Sequence, residues 1–402
     1  MKIGISKTSS TLLLLSLPLN IIVIAGIGNV YLSTVMVMLQ FMIMLFLSNG
    51  KLVKGRITYI VSEVFLLTLV VTIINIILNG ELINTQITKT VIYLQNTLAI
   101  IMMSFFVKDL RPDYFYKTFL VIVIMCVIRV YIEEPSHFFK LSVLWDERIE
   151  SEFVAGVNTF AMLNGLAFVI SFFYLKHKFL KLFLSLFFIL IIVLTMSRGA
   201  LLAAIATLFI TAFYDLNRET FNLLVKYSFI ALIIGVFVLI FSGKIDAVMD
   251  LINERFFSFF YGEKSFNDFF AGRGDLIQHV TSKIYNSSIF QFLFGHGNGS
   301  MKFVIPETGQ KFETSHLVPL DILYRNGIIL TLLYINLLVK IFQKFIKNRT
   351  KENNVLFGLF VFFHLELLVN PMIFSAQSGW VYSLFLILFL KQNDLNYKKI
   401  KE

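Results

Sequence analysis

Two arginines stand in sequence contexts that suit the binding of an anion. Arg198 interrupts the apolar stretch "LTMSRGALLAAIATLFI", and Arg273 lies between glycines in "FFAGRGDLIQHV". A guanidinium stays charged at physiological pH, and its planar fork of donors fits phosphate or carboxylate in a bidentate manner. The simpler interpretation is that Arg198 snorkels to a membrane interface and that Arg273 is an ordinary loop residue. Anion binding is the hypothesis that gives both residues a role in chemistry.

The candidate base is His316, in "ETSHLVPLDILYRNGIIL". A neutral imidazole near positive charge accepts a proton readily at neutral pH, although a lone histidine is more often structural. Asp321 and Arg325 follow at a spacing of four, which places them on one face of a helix where they can pair. Three other ionisable residues in apolar segments rank lower as candidates: Arg129, His364 and Glu366.

Metal and cofactor chemistry have no recognisable motif in the sequence. There is no HExxH, carboxylates do not cluster at ligand spacing, and Cys126 is the only cysteine. The stretch "FGHGNGS", residues 294–300, resembles a phosphate-binding loop but lacks the strand–helix context of one, which favours a turn. The sequence therefore predicts neither a metal site nor a cofactor, and an enzyme would have to neutralise anionic charge with arginines.

The elements that must position these residues are transmembrane helices. Of the 402 residues, 57% are hydrophobic and 15% are charged, whereas soluble domains are about a quarter charged. Runs long enough to span a bilayer predict an all-α, polytopic membrane protein of about 12 transmembrane helices, at residues 11–28, 31–48, 57–79, 90–107, 116–132, 153–175, 179–195, 199–214, 222–242, 317–339, 354–370 and 376–390. The first run resembles a signal peptide, but the next follows so closely that an uncleaved helix is favoured.

Charge alternates between successive loops and predicts the orientation. One set is basic, as around residues 51–56 and 340–351, and the other is neutral or acidic, as in "YIEEPSHFFKLSVLWDERIESE". The positive-inside rule then places both termini in the cytoplasm and Arg198 at the outer face. Topology thus accounts for the net charge of +10, and nucleic acid is not a predicted partner.

The chain divides into three predicted parts. Residues 1–242 carry transmembrane helices 1–9, residues 243–315 form one large extracytoplasmic loop, and residues 316–402 carry transmembrane helices 10–12 and a cytoplasmic tail. The loop is rich in aromatic residues, as in "NERFFSFFYGEKSFNDFFAGRGD". Such a composition argues against disorder and predicts short helices that lie in the membrane interface with phenylalanines towards lipid.

Four motifs in this order resemble the O-antigen polymerase and O-antigen ligase family of bacterial membrane glycosyltransferases. They are "TMSRGALLA", "GRGDL" in the long outer loop, "GHGNGS" and "SHLVPLDILYRNGII". The resemblance spans residues 150–345 and implies a GT-C-like architecture in the bacterial inner membrane, with the active site on the periplasmic face. Family members often have Asn after the histidine, where Leu317 stands here. The pattern D-x-L-Y-R-x-G looks more like the polymerases than the ligases.

The resemblance also implies a role for each candidate residue. Arg198, Arg273 and His316 occupy the family's functional positions. The arginines would clamp the pyrophosphate of an undecaprenyl-pyrophosphate-linked oligosaccharide, which serves as donor and acceptor, and His316 would deprotonate the acceptor hydroxyl. Asp321 and Arg325 complete the predicted substrate-binding set. Membrane lipids and a chain-length regulator are the other implied partners.

Two rival functions remain at the level of sequence. An O-antigen ligase would use the same machinery to pass the finished glycan to a lipid A–core acceptor. A membrane transporter or flippase would also have about twelve helices, but it is expected to place its charges near the midplane and to show repeat symmetry. Here the ionisable residues gather at one face around one large loop, which favours an enzyme.

Overall fold

The computed structural model describes residues 8, 11–17, 21–24, 28–47, 56–79, 83–106, 112–133, 135, 156–195, 197–215, 273–297, 303–304, 311–312, 314–347, 351–371, 373 and 379–399. Helices dominate this part of the chain: α1 (Leu32–Leu47), α2 (Arg56–Asn79), α3 (Ile83–Phe106), α4 (Pro112–Glu133), α5 (Val157–Tyr174), α6 (Lys178–Leu194), α7 (Arg198–Asp215), α8 (Arg273–Tyr285), α9 (Ile289–Phe294), α10 (Val318–Lys347), α11 (Lys351–Glu366) and α12 (Gly379–Lys399). Two short antiparallel hairpins accompany them: β1 (Ile21–Ile24) with β2 (Gly28–Tyr31), and β3 (Phe303–Val304) with β4 (Lys311–Phe312).

The centre of the bundle is formed by α5 and α11, which pack together through glycines. A Cβ atom at Gly165 would lie 1.9 Å from Cζ of Phe362, and one at Gly358 would lie 3.0 Å from a methyl group of Val169. Only small residues permit helices to approach this closely in a membrane. These contacts fix α11 against α5, and α7 packs on both helices.

The outside of the bundle is apolar, as expected for a protein that lipid surrounds. Phe46 on α1, Ile77 on α2 and Phe213 on α7 are all largely exposed, a pattern that a soluble monomer avoids over large areas. Among the described residues, α4, α5 and α10 are long and apolar enough to cross a membrane, and five shorter apolar helices accompany them. The twelve spans and the three-part division of the chain stay predictions.

Most predicted helices coincide with observed ones to within a few residues, but several differ. The prediction of a helix over residues 11–28 was wrong, because among the described residues of this range only 11–15 are helical, and the hairpin β1–β2 follows. The stretch "IIVIAGIGNVY" combines β-branched residues with glycines, which favours strands over a helix. The helix predicted at 90–107 begins earlier, at Ile83, and the one predicted at 222–242 lies outside the described residues.

Helix α10 is longer than predicted and is interrupted. It continues to Lys347, and Gly327 breaks the helical geometry with φ 74° and ψ 175°, a conformation that is nearly exclusive to glycine. In the segment predicted as the outer loop, the described residues form α8, α9 and the hairpin β3–β4. This break and these loop helices shape the candidate site.

Candidate functional site

Each of the three principal candidates lies at the amino-terminal end of a helix. Arg198 is the first residue of α7, Arg273 is the first residue of α8, and His316 precedes the first residue of α10 by two positions. Helix amino termini carry unpaired N–H groups and partial positive charge, so they add to the attraction that a guanidinium exerts on an anion. The ends that carry Arg198 and Arg273 would therefore favour a bound anion.

The end of α7 is tightly fixed. The carbonyl oxygen of Ser197 accepts the first helical hydrogen bond, from Leu201 N at 3.1 Å, and the Ser197 hydroxyl donates to Asn158 Oδ1 on α5 at 3.3 Å. Ser197 and the neighbouring Ala200 are buried, whereas Arg198 is half-buried. Thr195 and Ser197 lie between the end of α6 and the start of α7.

The carboxyl-terminal end of α11 lies against this arginine-bearing end. A Cβ atom at Gly199 would lie 2.4 Å from Cγ2 of Val369 and 3.6 Å from Oε2 of Glu366. Glu366 is 1% exposed and accepts a hydrogen bond from the side chain of Asn370 at 3.5 Å. A buried carboxylate thus stands beside the amino terminus of α7, where negative charge is stabilised.

The same end of α11 also holds the start of α10. Val318 N donates to the carbonyl oxygen of Leu367 at 3.3 Å. Two residues earlier, His316 is half-buried and adopts a left-handed backbone conformation with φ 59°, which is uncommon outside glycine and marks functional positions when a residue is held in it. Gly199, next to Arg198, and Val318, two residues after His316, therefore both contact residues 366–369 at the end of α11.

Asp321 holds the segment that presents His316. Its Oδ1 accepts hydrogen bonds from Ser315 N at 2.8 Å and from Ser315 Oγ at 2.5 Å. Both residues are 0% exposed, and the His316 backbone N–H donates to Thr314 Oγ1 at 3.1 Å. Because the Asp321 carboxylate is engaged with the residue before the histidine, the arrangement suits positioning of the base.

Helix α8 docks on the first half of α10 and brings its own arginine-bearing end to this region. Leu276 and Val280 pack against Tyr324 in a small hydrophobic cluster that Phe312 and Leu320 extend. The Phe312 ring meets the His316 imidazole edge-on, with centroids 6.3 Å apart. Since Leu276 lies one turn after the first residue of α8, the backbone of that end is placed near the segment that carries His316.

The break in α10 is filled by the glycine-rich segment at residues 294–297. His296 N donates to the Tyr324 carbonyl oxygen at 2.9 Å, and Gly297 N donates to the Arg325 carbonyl oxygen at 3.0 Å. The His296 ring stacks on Tyr324, with centroids 4.1 Å apart. Both N–H groups donate to carbonyl oxygens of the protein, so they are unavailable to a phosphate. This agrees with the prediction of a turn at this position.

The remaining candidates lie apart from the helix ends. Arg325 is 3% exposed and occupies the turn of α10 just before the break. His364 is engaged inside the bundle, with Nδ1 2.7 Å from the Phe360 carbonyl oxygen and Nε2 3.3 Å from the Tyr382 hydroxyl. Arg129 forms an ion pair with Glu133 at 2.8 Å within α4.

Nothing in the sequence marked Ser315, Gly199 or Asn370 as candidate site residues, and Glu366 ranked low among the candidates. A buried acid in "FHLELLVN" is a usable signal, but only the packing of α7 on α11 shows which residue it meets. Among the described residues, no group of three His, Cys, Asp or Glu side chains has the proximity that a metal ion requires.

The comparison with known families adds independent information on this region. Residues 183–335 match the family model described as O-antigen ligase. The matched stretch contains Arg198, Arg273 and His316 and ends within α10, so Glu366 lies beyond it. It supports a membrane protein with a role in O-antigen or related surface polysaccharide biosynthesis. No curated protein matches the chain.

Proposed function

We propose that this protein is a polymerase of O-antigen or another surface polysaccharide. It would join repeat units carried on undecaprenyl pyrophosphate at the outer face of the bacterial inner membrane. The observation that carries the proposal is that Gly199, next to Arg198, and Val318, two residues after His316, both contact residues 366–369 at the end of α11. The segments that carry an anion-binding group and a candidate base, both within the region that matches the family, thereby contact one common element.

The arginines are proposed to bind the pyrophosphate of the donor. Arg198 and Arg273 each combine a planar guanidinium with the partial positive charge of a helix amino terminus. Both features favour the negative charge that develops on the pyrophosphate when the bond to the sugar breaks. A leaving group stabilised in this way needs no protonation before it departs.

His316 is proposed to activate the acceptor. Its imidazole would take the proton from an acceptor hydroxyl, whose oxygen forms a bond to the anomeric carbon of the donor sugar. The bond between that carbon and the pyrophosphate oxygen breaks, and undecaprenyl pyrophosphate leaves with the electron pair. The left-handed backbone at His316 and the Asp321–Ser315 hydrogen bonds favour one fixed presentation of the ring.

Ligase activity is the second candidate, and one observation favours it. The family model that matches residues 183–335 is described as O-antigen ligase, and the proposed chemistry is the same for both activities. They differ in the acceptor, which is a second lipid-linked chain for a polymerase and a lipid A–core for a ligase.

The transporter alternative loses support from the break in α10. Broken helices in transporters offer free carbonyl oxygens to a coupling cation. Here the carbonyl oxygens of Tyr324 and Arg325 accept hydrogen bonds from His296 and Gly297, so the break serves packing within the protein.

The activities can be separated with purified protein in proteoliposomes and a synthetic lipid-linked repeat unit. A ladder of products that differ by one repeat supports the polymerase. Product that forms only when lipid A–core is added supports the ligase. The absence of glycan transfer under both conditions would contradict the proposed enzyme class.

A further inference from the structure

We propose that residues 287–297 form a re-entrant element, in which α9 enters the hydrocarbon layer and its exposed side contacts the acyl chains of the bilayer. The sequence alone predicts helices that lie flat in the interface. The contacts of α9 and of the turn after it point instead to a position between two membrane helices. This inference concerns how the loop is seated and is independent of the chemistry proposed above.

The tip of the element is lodged between α10 and α2. A Cβ atom at Gly327 would lie 2.3 Å from the carbonyl oxygen of Leu293, and one at Gly295 would lie 2.2 Å from that of Arg325. On the other side, Asn75 Nδ2 donates to the Gly295 carbonyl oxygen at 3.3 Å. Both glycines have positive φ angles, so this approach of two backbones depends on them.

The two partner helices place this contact below the membrane surface. From residue 327 to residue 340, where the basic cluster begins, α10 rises about 20 Å at 1.5 Å per residue. A hydrocarbon layer about 30 Å thick then leaves Gly327 about 10 Å inside its outer boundary. Asn326 Nδ2 on α10 donates to Thr68 Oγ1 on α2 at 3.5 Å. Thr68 in turn lies about 16 Å from the end of α2 at Asn79.

The polar backbone at this depth is satisfied by the protein. Irregular backbone is tolerated within a membrane only where protein or water supplies its hydrogen bonds. The break in α10 leaves the carbonyl oxygens of Tyr324 and Arg325 without a helical partner. The N–H groups of His296 and Gly297 donate hydrogen bonds to them, at 2.9 and 3.0 Å. Each irregular segment thus supplies the hydrogen bonds that the other needs.

The outer side of α9 is apolar and uncovered. Ile289 is 81% exposed and Phe292 is 43% exposed, and both line a cleft of about 390 Å³ that also contains Ile284 and Tyr285. The two helices that hold the tip of the element, α2 and α10, also carry exposed apolar side chains, namely Ile77 on α2 and Ile329, Leu332 and Leu333 on α10. Because α9 is held against helices with such lipid-facing side chains, acyl chains are the occupant that its own exposed apolar side chains fit.

Site-directed spin labelling in proteoliposomes tests the proposal. In a Cys126→Ser background, nitroxides would be attached at Ile289→Cys and Phe292→Cys and their collision rates with oxygen and with a neutral nickel chelate compared. Leu332→Cys on α10 is the lipid-facing reference, and Ser282→Cys, on the exposed face of α8, is the aqueous reference. All four positions are at the surface, so the labels leave the packing intact.

We expect the α9 labels to behave like the Leu332→Cys label, with frequent oxygen collisions and few collisions with the chelate. Chelate accessibility at Ile289→Cys and Phe292→Cys equal to that of Ser282→Cys would place α9 in water and overturn the proposal. Activity of these labelled variants reports on the proposed enzyme separately, since none of the positions belongs to the candidate site.

Discussion

The carboxylate of Asp321 is hydrogen-bonded to the residue that precedes the candidate base, with Ser315 N and Ser315 Oγ as the two donors to its Oδ1. Within the described part of the chain, the other carboxylate oxygen, Oδ2, is buried and accepts no hydrogen bond. Asp321 therefore acts on the geometry of the segment that carries His316, and this separates two residues that could otherwise compete for the role of base.

Substitutions at these two positions should have unequal effects. An Asn at position 321 still presents an oxygen to Ser315, so Asp321→Asn should keep turnover within about tenfold of wild type, as expected when a charged acceptor becomes neutral. His316→Gln loses basicity and should lower the rate on the order of 10²–10⁴-fold. Initial rates with the lipid-linked repeat unit measure both. An inactive Asp321→Asn beside a near-normal His316→Gln would transfer the role of base to the carboxylate.

The wild-type pH–rate profile addresses the same assignment. A protonated imidazole cannot accept the proton of the acceptor hydroxyl, so activity should fall as the pH is lowered into the acid range. His316→Gln should lack this limb in whatever residual activity it has. A wild-type profile without this acid limb, like that of His316→Gln, would contradict the assignment of the base to the histidine.

The arginines should require their planar fork as well as their charge. Arg198→Ala and Arg273→Ala should abolish glycan extension while the protein still inserts and accumulates, and Lys at either position should rescue poorly because it offers a point charge. Extension of lipopolysaccharide or surface glycan in cells that lack the native gene measures this. Full activity of both alanine variants would exclude the pyrophosphate clamp, and full activity of the lysine variants would reduce it to general positive charge.

The stability that comes from the contact between Gly327 and α9 can be separated from the backbone strain that any alanine at position 327 would introduce. Gly156 and Gly327 share nearly the same conformation, with φ 84° and ψ 166° against φ 74° and ψ 175°. A Cβ atom at Gly156 meets no atom of the described residues within 4 Å, whereas one at Gly327 would lie 2.3 Å from Leu293 O. Gly156→Ala should thus cost about 1–3 kcal/mol of strain, and Gly327→Ala should cost more.

Thermal unfolding of the two alanine variants in detergent gives the comparison. A lower midpoint for Gly327→Ala than for Gly156→Ala reports the lost packing of α9 on α10. Equal midpoints would mean that the close approach of the two backbones contributes nothing to stability.

The orientation of the chain is tested by cysteine labelling in intact cells. In a Cys126→Ser background, Ser282→Cys on α8 should react with a membrane-impermeant thiol reagent, whereas Lys347→Cys at the end of α10 should react only after the membrane is opened. Both positions are exposed, so accessibility depends on the side of the membrane. The reverse pattern would place the candidate site in the cytoplasm.

The sequence predicted most of the helices because hydrophobic length is nearly sufficient to define a membrane helix. The rule failed for residues 11–28, where a helix was predicted, because the hairpin β1–β2 forms inside this apolar run of β-branched residues and glycines. The break at Gly327 and its pairing with residues 294–297 are long-range events, and a single glycine in "YRNGII" carries no sign of its partner.

The candidate site shows the same division. Arg198, Arg273 and His316 were recognisable by residue type and local context. Nothing in those contexts indicates that the segments carrying Arg198 and His316 both contact the end of α11. Gly199 contacts Glu366 and Val369 across more than a hundred and sixty residues of sequence. Such a contact follows from the packing of α7 on α11, which the sequence pattern does not specify.

The most direct test of the account is the rate of glycan transfer from an undecaprenyl-pyrophosphate-linked repeat unit by purified protein in proteoliposomes. Wild type would be compared with Arg198→Ala, His316→Ala and the control Arg129→Ala, which removes the ion pair with Glu133 within α4. The account predicts transfer by wild type and by Arg129→Ala, no detectable transfer by Arg198→Ala, and a loss on the order of 10²–10⁴-fold for His316→Ala. Equal rates in all four proteins would contradict it.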